Sequence, residues 1–301
     1  MEQNRISFYD QISRNKWKSF FLMLMIVLVF VLFGFVIGKA LGPLYFTGIM
    51  ILSIIISIFY IWIGYFFSDK IALASVNAKP ASERDYPQFH NSVEGLSLAS
   101  GMPKPKLYVM ENSEINAFAS GRDPQHAVIC VTTGALKKLD KQELEGVLSH
   151  ELSHVANFDI RFMTLVAVLV GMIAIISQIF LRSLWFRGNR DNDSKGNVIF
   201  MLIGIVLAIL APIVVQIVQL AISRKREYVA DASAVKFIRS PTGLVKALKK
   251  IDAENPSSDE RQKINKAVAP LFISDPFKRK IQNLFSTHPP IRERIAILER
   301  M

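Results

Sequence analysis

Residues Phe20–Gly38 read FFLMLMIVLVFVLFGFVIG and contain no Lys, Arg, Asp or Glu. Further windows lack these charged residues in the same way: Ala40–Ser68, Phe162–Leu181 and Gly196–Ser223. Each window is close to or longer than the ~20 residues that an apolar helix needs to cross a bilayer core. With 51% hydrophobic residues, the chain is too apolar for a disordered protein. The sequence therefore predicts a mostly α-helical membrane protein with four transmembrane helices.

The four windows pair into two predicted hairpins, and a polar segment follows each hairpin. Residues 1–19 precede the first hairpin (20–68), which leads into segment 69–161, and the second hairpin (162–223) leads into segment 224–301. Because each hairpin crosses the membrane twice, the three polar parts lie on the same side. More Lys and Arg residues flank the span ends on that side than on the other. Positively charged flanks stay in the cytoplasm, so we expect these parts there.

Two of the windows have alternative interpretations. The first could be a secretory signal, but its apolar run is longer than the usual stretch of about 7–15 residues and lacks a small-x-small cleavage site. The fourth window contains Pro212, which predicts a kink, and a re-entrant helix is the alternative to a full span there.

The charge balance and the cysteine content narrow the class of protein. The net charge is +11, which would suit nucleic acid or an anionic membrane surface. The basic residues flank the apolar windows and form no stripe with interleaved aromatics, so we expect contact with lipid and none with nucleic acid. Cys130 is the single cysteine, which excludes an intrachain disulfide and fits a reducing compartment.

The polar segments predict a small sheet and several helices. Apolar periodicity, alternation and turn residues place them as follows: helix Tyr86–Ser100 ending at Gly101, strands Lys106–Met110, Asn116–Ser120 and Ala127–Thr133, helix Leu244–Ile251, a polar linker Asn255–Asp259, and a last helix from Pro289 or Pro290 to Leu298 with Thr287 as a cap.

A metal-binding motif lies on a further predicted helix. Asp140 is a good N-cap, and Glu143 completes the capping-box pattern. The same helix carries HELSH at His150–His154, where two histidines four residues apart can reach one metal ion. Glu151 then lies beside the metal, where it can take a proton from the attacking water. A pair of helix-surface histidines without a metal is the alternative, but such a motif is expected by chance only about 0.004 times in a chain of this composition.

A third ligand is needed, because catalytic zinc sites usually have three protein ligands and one open position. Glu227 follows the fourth window and His154 precedes the third, so the second hairpin brings the two residues together. Cys130 lies in a predicted strand and is a poorer candidate. The alternative for Glu227 is an ion pair with Arg224 or Arg226.

The metal should lie just above the membrane surface. His154 precedes Phe162 by eight residues, which is about 12 Å if the helix is continuous. Asp231 falls on the same helix face as Glu227 and can fix a ligand imidazole through its free N–H, with a solvated carboxylate as the alternative. The other histidines, His90, His126 and His288, read as surface or loop residues.

This combination of motifs resembles the HtpX family of bacterial membrane zinc endopeptidases, relatives of the CAAX prenyl proteases. The resemblance covers most of the chain. It rests on the four windows, Asn116-Ala117-Phe118, the HELSH motif, Arg226-Glu227-Tyr228-x-Ala230-Asp231 and Thr287-His288-Pro289-Pro290.

The resemblance implies a fold and a set of site residues. The fold would be a zincin-like α+β metalloprotease domain in the cytoplasm, attached to the transmembrane helices at the bacterial inner membrane. The resemblance implies that His150, His154 and Glu227 bind Zn²⁺, that Glu151 is the general base, and that Asp231 contacts a ligand histidine. It also implies that Asn116, Ala117 and Phe118 form an edge strand beside the substrate. His288 and Arg294 would line the cleft and help to hold the reacting carbonyl.

The resemblance also implies a function in stress-linked quality control, with misfolded or damaged membrane proteins as substrates. The sequence leaves open whether the chain forms a homo-oligomer. A CAAX-type prenyl protease would share the site but would have more spans. A metal transporter would place ionisable residues inside the spans, and a non-catalytic scaffold would not need Glu151.

Overall fold

The computed structural model describes residues 8–167, 204, 224–254, 271–273 and 289–301. The helices with assigned bounds are α1 Phe8–Leu41, α2 Pro43–Phe66, α3 Ser68–Ser75, α4 Pro87–Ser100, α5 Thr133–Lys138, α6 Lys141–Ala156, α7 Arg224–Ile238, α8 Thr242–Ala253 and α9 Ile291–Leu298. The strands are β1 Lys79–Pro80, β2 Lys106–Met110, β3 Ala117–Ser120 and β4 Val128–Thr132. The described part of the chain is therefore mostly helical, with one small sheet.

Two of the described helices are long and apolar enough to cross a membrane, and they correspond to the first two apolar windows. They cover Ser13–Lys39 and Pro43–Phe66, and only 28% and 11% of their most apolar stretches are buried in the protein. Large side chains such as Leu28 and Ile58 face outward, as expected of helices that contact lipid. Gly42 alone separates α1 from α2 and has a φ of 105°, which glycine adopts without a steric penalty.

The third and fourth apolar windows lie outside the described residues, except for residues 162–167 and 204. Pro212, the linker Asn255–Asp259 and Thr287 lie outside them as well. Residues 159–167 are helical. Within that stretch, Phe162 packs with apolar side chains of α1 in one buried cluster, so the start of the third window contacts the first membrane helix.

The sheet has the strand order β1-β2-β4-β3, with β2 parallel to β4 and the two outer strands antiparallel to their neighbours. The predicted strands Lys106–Met110, Asn116–Ser120 and Ala127–Thr133 are confirmed to within one residue at each end. Residues on both faces of β4 are buried, because one face packs with residues of α4 and α6 and the other with residues of α3. Among the named strands, β3 forms one edge of this sheet.

Helix α6 begins with the predicted capping box. The Asp140 carboxylate accepts a hydrogen bond from the Glu143 backbone N–H at 2.9 Å, and the Glu143 carboxylate accepts one from the Asp140 N–H at 2.8 Å. Gly146 lies against the backbone of Leu244, so that α6 and α8 touch main chain to main chain. This close contact anchors the helix that carries the HELSH motif.

Helix α6 does not continue into the third window, contrary to the straight helix assumed in the estimate of 12 Å. It ends at Ala156, and Phe158 has a φ of +58° before the next helical residues begin at 159. A bulky residue in this left-handed conformation costs about 1–3 kcal/mol and is held there by its surroundings. The other helical predictions are confirmed: α4 ends at Gly101, α8 contains Leu244–Ile251, and α9 starts directly after Pro290.

Candidate metal centre

Three buried side chains from two helices converge in one cluster. His150 and His154 lie one turn apart on α6, and their Nε2 atoms are 3.2 Å apart. Glu227 comes from the first turn of α7, with carboxylate oxygens 3.5 Å from His150 Nε2 and 3.7 Å from His154 Nε2. One ligand atom from each residue lies within 4.8 Å of the others, and the three side chains are buried. The structure thus brings together the predicted ligand set.

These separations fit a metal ion. Ligand atoms about 2.0–2.1 Å from a tetrahedral ion lie about 3.3 Å from one another, close to the distances observed here. Each histidine also has a carboxylate oxygen within 3.0 Å of Nδ1, an acceptor that favours a proton on Nδ1 and directs Nε2 towards the position of a metal. At 3.2 Å, the two Nε2 atoms can share a proton or hold a metal cation between them. The donor set therefore suits a divalent metal.

Asp231 is the carboxylate behind His150. Its Oδ1 lies 2.9 Å from His150 Nδ1, and its two oxygens accept hydrogen bonds from Arg294 Nη2 at 2.7 Å and Nε at 2.9 Å. Burial works to raise the pKa of Asp231, but the charge of Arg294 and the hydrogen bonds with His150 and Arg294 outweigh it and lower that pKa to about 2. Asp231 is therefore an anion that orients the ring of His150.

The surroundings of His150 favour a positive charge on its ring. Burial and the charge of Arg294 act to lower the pKa of His150, but hydrogen bonds with Asp231 and Glu227 dominate and raise it to about 9. The same acidic neighbours that attract a proton to Nε2 attract a metal ion, which competes with the proton for that lone pair.

Asp159 is the carboxylate behind His154, and sequence reasoning missed it. Its Oδ2 lies 3.0 Å from His154 Nδ1, and Arg226 Nε lies 3.0 Å from its Oδ1. The predicted alternative for Glu227 was an ion pair with Arg224 or Arg226. Arg226 pairs with Asp159, and the arginine close to Glu227 is Arg294, whose Nη1 lies 3.8 Å from Glu227 Oε2. The missed signal was a carboxylate five residues after His154, which a continuous helix would direct away from that histidine.

Glu151 is buried next to the histidines at 1% exposure. Burial raises the pKa of Glu151, an effect that the positive charges of His150 and His154 oppose and the charge of Glu227 reinforces. A backbone hydrogen bond from Ala119 in β3 favours its ionised form. A carboxylate with a raised pKa close to a metal is suited to take and return a proton.

The edge of the sheet beside this site is occupied by another part of the chain. Ile273 N–H donates to the Ala117 carbonyl at 3.0 Å, and Phe272 pairs with Phe118 in an antiparallel bridge. The Asn116 carbonyl instead accepts from Thr132 N–H, because successive residues of a strand face opposite neighbours. Of the predicted substrate-contacting residues, Ala117 therefore offers its carbonyl at the edge, while Asn116 faces β4 and Phe118 is fully buried.

The remaining predicted site residues lie apart or have other contacts. Arg294 is fully buried in the site and donates two hydrogen bonds to the carboxylate of Asp231. It therefore contacts a residue that supports His150. His288 lies outside the described residues. His126 contacts Asp123 and His90 contacts the Ala81 carbonyl, in agreement with their reading as ordinary residues. Cys130 is buried in β4.

The helical hairpin and the buried His-His-Glu site together define a membrane metallopeptidase. The sequence pattern described as peptidase family M48 matches residues 83–301, and the chain belongs to this family.

Curated proteins named Protease HtpX homolog are similar over most of the chain, which confirms the resemblance seen in the sequence. The one from Thermoanaerobacter pseudethanolicus is 48% identical over 259 residues, and the one from Caldanaerobacter subterraneus subsp. tengcongensis is 49% identical over 259 residues. Each of these alignments covers 85% of both chains. The one from Streptococcus gordonii is 37% identical over 302 residues, covering 97% of this chain and 99% of that protein.

A solved structure also shares the fold. The crystal structure of S. mikatae Ste24p matches with a TM-score of 0.50 at 20% sequence identity. The match covers 90% of this chain and 61% of that chain, so this protein spans less than two thirds of the length of Ste24p. The likeness concerns the fold alone.

Proposed function

We propose that the protein is a zinc-dependent endopeptidase that cuts membrane proteins from the cytoplasmic side of a bacterial inner membrane. The observation that carries this proposal is the triangle of ligand atoms from His150, His154 and Glu227, with Glu151 buried beside it. A site with two histidines and a glutamate leaves a fourth position open for catalysis. Zinc is the metal that such a nitrogen and oxygen donor set favours in hydrolases.

In the proposed chemistry, the metal, when bound, polarises the scissile carbonyl and acidifies the attacking water. Glu151 takes the proton of that water and later delivers it to the leaving amine. Asp231 keeps the ring of His150 oriented, and Arg294 keeps Asp231 charged by pairing with both of its oxygens. Burial of the whole set excludes bulk water and strengthens these electrostatic interactions.

Substrate would bind as an extended strand beside β3, because main-chain pairing accepts many side chains. The Ala117 carbonyl could accept a hydrogen bond from such a strand, but in this structure it accepts one from the Ile273 N–H. A peptide that pairs at Ala117 must therefore take the place of Leu271–Ile273. Replacing Ile273 by Pro removes that N–H and is expected to raise the rate on an unfolded substrate, whereas an unchanged or lower rate would contradict pairing at this edge.

The position of the site and this mode of selection support a role in quality control. Helix α6 is followed within a few residues by helix 159–167, which packs on the membrane helix α1. The metal centre is thus close to the ends of the membrane helices, within reach of exposed loops and tails of membrane proteins. Backbone recognition selects unfolded segments rather than one sequence, which suits the removal of misfolded proteins.

The proposal is tested with the full-length protein in liposomes, using a membrane protein with an unfolded cytoplasmic loop as substrate. We expect about one zinc ion per chain by elemental analysis, loss of cleavage with 1,10-phenanthroline, and recovery when Zn²⁺ is returned. Glu227→Ala should lose both metal and activity. Cleavage that persists without metal would refute the metallopeptidase assignment of this site.

The same assay separates the alternatives. A CAAX-type prenyl protease would cut a farnesylated CAAX peptide and leave the unfolded loop intact. A transporter or scaffold would bind zinc without cutting either substrate.

A further inference from the structure

Asp159 is the centre of a buried network that joins three parts of the chain. Its Oδ2 faces His154 Nδ1 at 3.0 Å, while its Oδ1 accepts a hydrogen bond from Asn15 Nδ2 at 2.7 Å and lies 3.0 Å from Arg226 Nε. Asp159 is 1% exposed and Asn15 is 7% exposed. Asp159 therefore has the same relation to His154 that Asp231 has to His150.

The chain reaches this arrangement only through the turn that follows α6. On a continuous helix, a residue five positions after His154 would lie about 140° around the helix axis from it. The left-handed conformation of Phe158, with φ +58°, ends α6 and returns Asp159 to the face of His154. An unfavourable backbone conformation beside a functional side chain indicates that the surroundings impose it.

Asn15 holds this turn from the membrane side. It belongs to the candidate span Ser13–Lys39. Its Nδ2 donates to the Asn157 carbonyl at 3.0 Å as well as to Asp159, and thus fixes both ends of the turn. The next residue, Lys16, places its ammonium group 4.9 Å from the centre of the Phe158 ring. The first membrane helix therefore packs directly on the segment that positions Asp159.

We propose that Asp159 positions His154 for metal binding, and that Asn15 of the first membrane helix holds Asp159 and its turn in place. The inference rests on the proposed metal centre, because it assigns the second histidine its carboxylate partner. A carboxylate hydrogen-bonded to a ligand histidine fixes its tautomer and ring orientation, and its loss lowers metal affinity about 10- to 100-fold. The metal centre then depends on a residue of the membrane anchor.

The experiment measures metal affinity of the full-length protein in detergent, by competition for Zn²⁺ with a chromophoric chelator. Asp159→Ala is expected to raise the Kd for zinc about 10- to 100-fold. Asp159→Asn keeps an oxygen that can accept a hydrogen bond from His154, but its NH₂ group then faces the donors of Asn15 and Arg226. We expect this variant to raise the Kd for zinc less than Asp159→Ala does. Asn15→Ala should raise the Kd by several-fold, because Asp159 remains but is less well held.

Two control variants separate positioning from general stability. Glu143→Ala removes a buried carboxylate of the same helix, one that pairs with Lys250 at 2.6 Å away from the metal centre. Ser57→Ala removes a fully buried polar group of α2 whose hydroxyl donates to the Ile54 carbonyl. Both variants should keep the wild-type Kd, even where Glu143→Ala lowers the melting temperature.

The outcomes are distinct. An unchanged Kd in Asp159→Ala overturns the positioning role, and an unchanged Kd in Asn15→Ala overturns the coupling to the membrane helix. A Kd for Glu143→Ala that rises as much as that of Asp159→Ala would assign the effect to stability and overturn the proposal too. If Glu227→Ala also binds zinc like the wild type, the proposed metal centre itself fails. If Glu227→Ala loses zinc but Asp159→Ala does not, the role assigned to Asp159 is wrong and the proposed metal centre is retained.

Discussion

Replacing Glu151 by Gln should separate metal binding from catalysis. Glu151 is 1% exposed and is not among the three clustered ligands, so the variant should keep its metal. Gln has nearly the same shape and its carbonyl can still accept the hydrogen bond from Ala119, but it cannot take a proton. Loss of a general base lowers the rate about 100- to 10,000-fold, which corresponds to about 3–5 kcal/mol of transition-state stabilisation.

The assay compares initial rates of cleavage and the metal content of the same preparations. Glu145→Gln is the matched control, because Glu145 lies on the same helix but contacts Ser92 and Lys141 away from the ligands. It should retain the wild-type rate. If Glu151→Gln keeps more than about a tenth of the wild-type rate with full metal, another group takes the proton and the assigned role of Glu151 is wrong.

Two further predictions concern the fold around the site. Gly146→Ala places a methyl group against the backbone of Leu244 and should lower stability by about 1–3 kcal/mol. Gly95→Ala meets open space on α4 and should raise stability by up to about 1 kcal/mol. Melting temperatures that shift in the same direction for both variants would contradict the close contact between α6 and α8. Cys130 should resist iodoacetamide at pH 8 and react once the protein is unfolded, because burial raises the pKa of its thiol and leaves little thiolate. Rapid labelling of the native protein would show that β4 is accessible.

The local elements of the metal site could be predicted because short-range rules govern them. The capping box at Asp140 fixed the start of α6, and helical spacing put His150 and His154 on one face. Alternation located the three main strands to within a residue. Glu227 was predicted from the expectation that a second hairpin returns its two ends to the same place, although the windows of that hairpin lie largely outside the described residues.

The contacts around the ligands depended on long-range packing that periodicity does not encode. Asp159 became a partner of His154 because Phe158 adopts a positive φ, and Asn15, more than a hundred residues earlier, holds that turn. The edge of β3 is paired with Leu271–Ile273, a segment for which no strand was predicted from the sequence. Arg294 forms hydrogen bonds with Asp231, whereas from the sequence it was expected to line an open cleft.

The sequence by itself thus determined the first two apolar helices and the spacing of the histidines on α6, because hydrophobic length and helical period act over neighbouring residues. Only the tertiary structure decided which carboxylate contacts each histidine and which segment pairs with the sheet edge. Those choices are made by buried hydrogen bonds between distant segments, whose donors and acceptors must find partners once water is excluded.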